Sequence, residues 1–410
     1  MITGGNPTSI DLEFEEYSTN LVGPASTDAV IGNLIKRREN VLKGGVNCIP
    51  LPFERFRSEI PGVEQGQYIV ITASQKTGKT QIANYLYLFN ILDYCFEHPD
   101  RCSCHIIYFA LEESVQKVIE RYMSHLLFKL DGKRFAPADL RSTSMDYPVP
   151  QEVLDLLQSD KYQQRFRFFE KCVQFDTENT NPTGILRTCE VYAKSVGDYK
   201  AHKTISKGES GKEIEVFDSY KQNDPNHYKI VIIDHIGLVD REQGFKAKDA
   251  VDKASEYFVK YLRNRYNYTC VAIQQQASES EGLEAMKQKK MLPTAATLSD
   301  SKYTARDADL VMGLFDPSKF GLSNWLGYKI QDADGIGLKN YGRFLYVIAN
   351  RNGEMGSACP LFFDGAVCNF EELPIPSDIP EIAKYYKKAR DLKSYRQTKK
   401  LAALLTLFKR

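Results

Sequence analysis

Six apolar runs recur between positions 49 and 373 of the chain: QYIVITA, HIIYFAL, KIVIIDHI, TCVAIQQQ, ADLVMGLF and RFLYVIAN. Each is strand-sized, and each reads as a nearly continuous stretch of Ile, Val, Leu, Tyr and Phe rather than as an alternation of apolar and polar positions. Continuous runs belong to strands buried on both faces. The segments between them carry apolar residues at helical spacing, as in KTQIANYLYLFNILDYCF. The alternation predicts an α/β fold with a mostly parallel central sheet flanked by helices. None of the runs reaches the roughly 20 residues of a membrane-spanning helix, so no membrane contact is expected.

The ends of the chain read differently. Residues 1 to about 25 are punctuated by Gly, Pro, Ser and Thr, and an amphipathic helical pattern follows over residues 26–43, stopping at Gly44-Gly45. One such helix cannot stabilise itself, so residues 1–45 are expected to form a flexible arm ending in a linker helix. Residues 46–374 carry the α/β alternation, broken by a polar insertion over about 197–227 in which KTIS and EIEVF flank KGESGK as a β-hairpin would. Residues 375–410 form a helical tail rich in Lys and Arg.

Composition narrows the compartment and little else. With 54 Lys and Arg against 53 Asp and Glu the net charge is +1, so any nucleic-acid surface must be local. The polar, acidic N-terminus lacks the features of a secretory leader. Nine cysteines, an odd number scattered along the chain, suit reduced thiols in a cytoplasm. The spacing in CFEHPDRCSCH does not match paired zinc-ligand patterns, and His105 opens a strand, so zinc is not expected there.

The chemistry begins at VITASQKTGKT, residues 70–80. A strand, a tight turn and a helix follow one another there, the context in which successive backbone amides and a helix N-terminus converge on phosphate oxygens. The pattern G-x-x-x-x-G-K-[ST] is met except that Ala73 replaces its first glycine. Ala73, Ser74, Gln75, Lys76, Thr77 and Gly78 are expected to form the nucleotide loop, Lys79 to reach the β- and γ-phosphates, and Thr80 to hold Mg²⁺ through its hydroxyl. Asp234, at the end of KIVIID, is placed to bind Mg²⁺ through water. Its neighbour is His235 rather than Glu, so the base that activates water must come from elsewhere. Glu112, just beyond HIIYFAL, is the candidate, while Glu113 beside it suits the N-terminal dipole of the next helix. Gln275 ends a third strand, where it could sense the γ-phosphate.

In their order along the chain, ASQKTGKT, FALEES, IVIIDHIGLV, VAIQQQ, SDSKYTARDADLVMGLF and ANRNGEMG resemble the RecA-like motor domain of DnaB-type replicative DNA helicases. In that family the first loop position is commonly Ala, as at Ala73. The resemblance covers roughly residues 45–374. It implies a RecA-like P-loop NTPase fold, ATP and Mg²⁺ as cofactors, Glu112 as catalytic base and Gln275 as sensor. It also implies that Arg351, in RNG, is an arginine finger presented to the neighbouring subunit's nucleotide. The implied activity is that of an ATP-dependent DNA helicase or translocase of DNA replication, working as a homohexameric ring on single-stranded DNA, with a primase or loader as further partners. The implied location is the cytoplasm of a bacterium or of a phage-infected cell.

Departures from the family pattern are equally legible. Ala349 stands where the family usually has Lys, the helix before Asp307 to Asp309 is shorter, the hairpin insertion is extra, and the family's N-terminal helical domain has no counterpart, a form typical of phage proteins. If single-stranded DNA threads such a ring, the loops after the Asp234 and Gln275 strands would contact it, nominating Arg241, Lys246 and Lys248 in one and Lys287, Lys289 and Lys290 in the other. Two alternatives share the same residues: a recombinase-like or other DNA-translocating ATPase without unwinding, and a nucleotide-binding accessory protein that has lost catalysis.

Overall fold

The computed structural model describes residues 27–143, 148–205, 213–277, 291–331 and 336–408. Its centre is a nine-stranded sheet. In chain order the longer strands are β1 (Tyr68–Ala73), β2 (Ser103–Ala110), β3 (Val173–Asp176), β4 (Gly197–Ile205), β5 (Glu213–Gln222), β6 (His227–Asp234), β7 (Thr269–Gln275), β8 (Leu310–Phe315), β9 (Gly342–Asn350), β10 (Ala358–Asp364) and β11 (Asn369–Glu372). The sheet runs β11-β10-β9-β8-β1-β7-β6-β2-β3, while β4 and β5 pair only with each other. From β8 to β3 all neighbours are parallel, and β9, β10 and β11 add antiparallel strands beside β8.

All six apolar runs are therefore strands of this sheet. The sequence pattern did not reveal β3, β10 and β11. β3 is a four-residue edge strand containing Gln174, and β10 is interrupted by Pro360, so pairing with a neighbour holds them rather than an apolar run of their own.

Alternation along β1 divides the core in two. Ile69, Ile71 and Ala73 pack on one face, beneath α2 (Lys79–Asn84), which continues through a π-helical turn (Tyr85–Phe89) into α3 (Asn90–Glu97), and beneath α4 (Val115–Asp131) and α5 (Asp160–Cys172). Tyr68 and Val70 face α6 (Pro182–Ser195) and α7 (Ala247–Tyr257) on the other. Burial on both sides is what continuous runs demand. The five-residue α8 (Tyr303–Asp307) leads into β8 and is as short as the sequence indicated.

Three peripheral elements matter later. Helix α1 (Thr27–Leu42) leaves Val30, Ile31, Leu34 and Ile35 each more than half exposed, while an Arg37–Glu64 ion pair at 2.8 Å ties its second half to the body. The β4–β5 hairpin is longer than KTIS and EIEVF alone, because Tyr199, Phe217 and Tyr220 at its base pack around Tyr266; its turn lies outside the described residues. The tail is one helix, α9 (Ile379–Phe408), whose Ile382 and Ala389 are buried in a third core with Tyr328 and Phe362. No described helix is long and apolar enough to cross a membrane.

Candidate active site

Register determines where the site sits. Ala73 lies opposite Gln275, Asp234 opposite Ile273, and Ala110 opposite Asp234, so β1, β7, β6 and β2 all end at one edge of the sheet. Parallel strands in open α/β sheets present ligand sites at that carboxyl edge.

The turn between β1 and α2 borders a pocket of about 470 Å³ lined by Ser74, Gln75, Lys76, Gly78, Lys79 and Thr80, and also by Glu112, Glu113, Arg121, Gln275 and Phe363. Gly78 caps α2 at φ +107°, and a Cβ there would meet the Phe363 ring at 3.1 Å, so both the backbone and the ring require glycine. Lys76 also adopts positive φ, +56°. Two expected loop contacts fall elsewhere. Ala73 is the last, fully buried residue of β1 and packs in the core, where a methyl group fits and a glycine would leave space. Thr77 points inward: its hydroxyl is buried without a hydrogen-bond partner, and its carbonyl accepts a 2.8 Å bond from Arg343 Nε.

Asp234 lies beneath the loop, 1% exposed. Thr80 Oγ1 donates to its Oδ1 at 3.1 Å, and the Tyr108 hydroxyl, 3.2 Å from Oδ2, also reaches Asn84 Oδ1 at 3.1 Å. Burial pushes the Asp234 carboxyl up to about 6, the nearby Lys79 ammonium opposing the shift and Glu112 adding to it. Burial likewise lowers Lys79, against the pull of Asp234, Glu112 and Asp300. The site thus sets the buried Asp234 carboxyl near the Lys79 ammonium in a poorly solvated place, where charges interact more strongly than in water.

The structure separates the two glutamates that follow β2. The Leu111 and Glu112 amides donate to the Asp234 carbonyl at 2.8 and 3.0 Å, fixing the turn against the end of β6. The Glu113 carboxylate pairs with Arg121 at 2.7 Å, leaving Glu112 exposed on the pocket wall. Gln274 and Gln275, the last two residues of β7, and Gln276 just beyond it are separated by the alternation of the extended backbone. Gln275 lines the pocket, whereas Gln274 and Gln276 are buried: Gln274 Nε2 donates to the Ser301 carbonyl at 2.8 Å, and Gln276 Nε2 to Thr72 Oγ1 at 2.8 Å.

Arg351 is not near this pocket. It follows β9, whose last residue Asn350 lies opposite Leu310 at the start of β8, and so it stands at the other edge of the sheet, about 20 Å away by strand rise. Its side chain is half exposed, 2.7 Å from the Arg306 carbonyl and 3.6 Å from Asp309. Arg241, Lys246 and Lys248 are exposed near the start of α7, on the pocket edge; Lys287, Lys289 and Lys290 lie outside the described residues. Of the residues in CFEHPDRCSCH, Cys95, Cys102 and Cys104 are buried thiols, His98 stacks on Tyr94 and His105 on Tyr192.

Sequence reasoning missed Arg343. It is 6% exposed, bonded to Thr77 through Nε and ion-paired to Asp316 at 3.0 Å through Nη2, so it holds the Ser74–Gly78 turn from behind. A charged residue inside the apolar run GRFLYVIAN was the available signal. Lys319, which donates to the Gln75 carbonyl, carried no such signal.

No protein-family model matches the chain, and no curated protein matches it. Among solved structures it is similar to an ATPase domain, with a TM-score of 0.59 and 14% identity over 86% of this chain and all of that one. It is also similar to a DnaB-like replicative helicase described with its interactions with primase, with a TM-score of 0.57 and 13% identity over 86% of this chain and 68% of that one. At such identities the likeness shows the fold, and it is the RecA-like α/β fold that the motif order led us to expect.

Proposed function

We propose that this chain is an ATP-driven motor of the DnaB-like kind, a helicase or translocase that assembles into a ring, hydrolyses ATP between subunits and moves on single-stranded DNA. The observation that carries the reading is the division of the site. Lys79, Thr80, Asp234, Glu112 and Gln275 converge at one sheet edge, whereas Arg351 is half exposed at the opposite edge. An arginine so placed serves a neighbouring copy's nucleotide, and the exposed apolar face of α1 offers a surface by which one copy can hold the next.

The residues fit their ligands. Successive amides of the Ser74–Gly78 turn and the N-terminus of α2 suit phosphate oxygens, and a hydroxyl beside a carboxylate suits a hard cation. Thr80 would ligate Mg²⁺ directly and Asp234 through water; when bound, the cation neutralises charge on the β- and γ-phosphates. Lys79 compensates the same charge. Glu112, exposed where the γ-phosphate would end, orients and deprotonates the attacking water, and Arg351 of the neighbour stabilises the transferred phosphoryl group. Gln275, on the strand between β1 and β6, links the γ-phosphate to the loop after β7. Arg241, Lys246 and Lys248, with Lys287, Lys289 and Lys290, track the DNA backbone without reading bases. A replicative role, a hexameric stoichiometry, a phage-type origin and a primase or loader as partner belong to the same proposal.

Fork unwinding measured with ATP, alongside light scattering for oligomeric mass, tests it. Unwinding by a multimer that disappears in Lys79→Ala is expected. DNA-stimulated ATPase without unwinding would make the protein a translocase of the recombinase type, and nucleotide binding without turnover would make it an accessory protein.

A further inference from the structure

Aromatic side chains are plentiful in this chain, 24 Tyr and 22 Phe, yet among the described side chains Phe245 and Tyr303 are the most exposed, at 39% and 42%. They are neighbours of one helix. Lys248, in the first turn of α7, places Nζ 5.4 Å from the centre of the Tyr303 ring, and Lys253, one turn further, places Nζ 5.1 Å from that of Phe245. Arg306 lies over Tyr303 at 4.2 Å.

The position is as informative as the exposure. Phe245 belongs to the loop that leaves β6. Tyr303 opens α8, which the chain reaches after leaving β7, and the return is pinned to the pocket strand by the Ser299 amide, 2.9 Å from the Gln275 carbonyl. Both segments that leave the nucleotide edge therefore meet at Tyr303. Nearby carboxylates are engaged: Glu242 with Lys253 at 2.5 Å and with Thr183, Asp249 with the Lys246 amide at 2.9 Å, Asp252 with the Ser301 hydroxyl, and Asp307 with Ser255 at 3.0 Å. Arg241, Lys246, Lys248 and Lys302, close to these rings in the chain or, for Lys248, in space, are exposed.

Exposed rings flanked by exposed cations are what unpaired bases require. A ring offers a stacking surface that accepts any base, while ammonium and guanidinium groups hold the phosphates on either side. We propose that Tyr303 is a stacking platform for the bases of single-stranded DNA, with Phe245 a second surface beside it. The inference rests on the DNA-motor reading above and assigns to it a base contact that the lysines alone do not supply. Because Tyr303 is joined through Ser299 to the strand that carries Gln275, the stacked base and the γ-phosphate end are connected by one short segment.

The test measures binding of a fluorescein-labelled oligothymidylate and of an abasic oligomer of equal length by anisotropy, for the wild type, Tyr303→Ala and Tyr303→Phe, with melting temperatures checking the fold. Tyr303→Ala is expected to weaken oligothymidylate binding about 5- to 150-fold, the range for loss of one stacked base. Tyr303→Phe should restore it, abasic binding should not change, and the salt dependence should stay that of the wild type because no phosphate contact is lost. Unchanged oligothymidylate binding by Tyr303→Ala overturns the platform and leaves the motor reading intact. Equal weakening toward both oligomers also overturns it, since that makes the ring a structural support. A wild type that binds neither oligomer overturns the DNA reading itself.

Discussion

Replacing Arg343 with Met is the most severe test of how the Ser74–Gly78 turn, the proposed nucleotide loop, is held. The guanidinium is 6% exposed and makes three contacts: Nε to the Thr77 carbonyl at 2.8 Å, Nη1 to the Gly342 carbonyl at 2.8 Å, and Nη2 to Asp316 at 3.0 Å. Asp316 is itself 6% exposed, and its other oxygen accepts the Ser318 amide at 3.0 Å. Methionine preserves the length of the side chain over the Phe363 ring but strands a buried carboxylate and a loop carbonyl. Breaking a buried ion pair from one side costs about 3–5 kcal/mol, and the stranded carbonyl belongs within that range rather than on top of it. Urea unfolding without nucleotide should show this loss. The double variant Arg343→Met/Asp316→Asn should recover part of it, because the abandoned charge is then gone. Nucleotide affinity should fall about tenfold, the worth of one hydrogen bond that had pre-ordered the loop. A single variant within about 0.5 kcal/mol of wild type, with unchanged nucleotide affinity, would refute the assignment of Arg343 as the support of the loop.

Glu112→Gln should lower ATP turnover about 10²- to 10⁴-fold in a steady-state assay while leaving the melting temperature unchanged, since the side chain is exposed. Arg351→Ala should keep nucleotide binding and lose about 10³- to 10⁵-fold in turnover; mixing it with Lys79→Ala subunits should restore some activity where an intact pocket meets an intact arginine, and no recovery would count against action between subunits. Leu34→Glu, at a position 62% exposed, should reduce oligomeric mass in light scattering without shifting the melting temperature of the dilute protein. Lys229 is buried beneath the hairpin, its ammonium 3.1 Å from the Tyr220 hydroxyl and bonded to Gln222, and burial pushes its pKa down to about 7. Between that value and 10.5 the unfolded chain holds a proton that the folded chain does not, so this group makes stability rise with pH across that window. Lys229→Met should remove the rise: relative to wild type it should be most favourable near about pH 6.5 and least near about pH 10 in urea titrations.

The sheet was legible because its central strands are buried on both faces, and such strands must be written as continuous apolar runs. Edge strands such as β3 are held by one neighbour and need no such run, which is why Val173–Asp176 passed unnoticed. That the Ser74–Gly78 turn, Glu112 and Asp234 lie at one edge of the sheet was legible for a related reason: each follows directly on an apolar run, and strand ends can be counted. Local sequence could not say which way a side chain turns or what stands behind it. Ala73 and Thr77 read as nucleotide contacts, yet β1 carries Ala73 into the core, and Arg343, 266 residues from Thr77, turns that residue's carbonyl inward.

The sequence by itself therefore determined the six strands written as apolar runs, the order of the motifs and the chemical identity of the groups available, because periodicity and residue type are local properties. Only the tertiary structure decided that Gln275 rather than Gln274 or Gln276 faces the pocket, that Glu113 is occupied by Arg121 while Glu112 is not, and that Arg351 stands at the far edge of the sheet. Each of these depends on register and on partners remote in the chain, and register is settled by pairing and packing across the whole sheet.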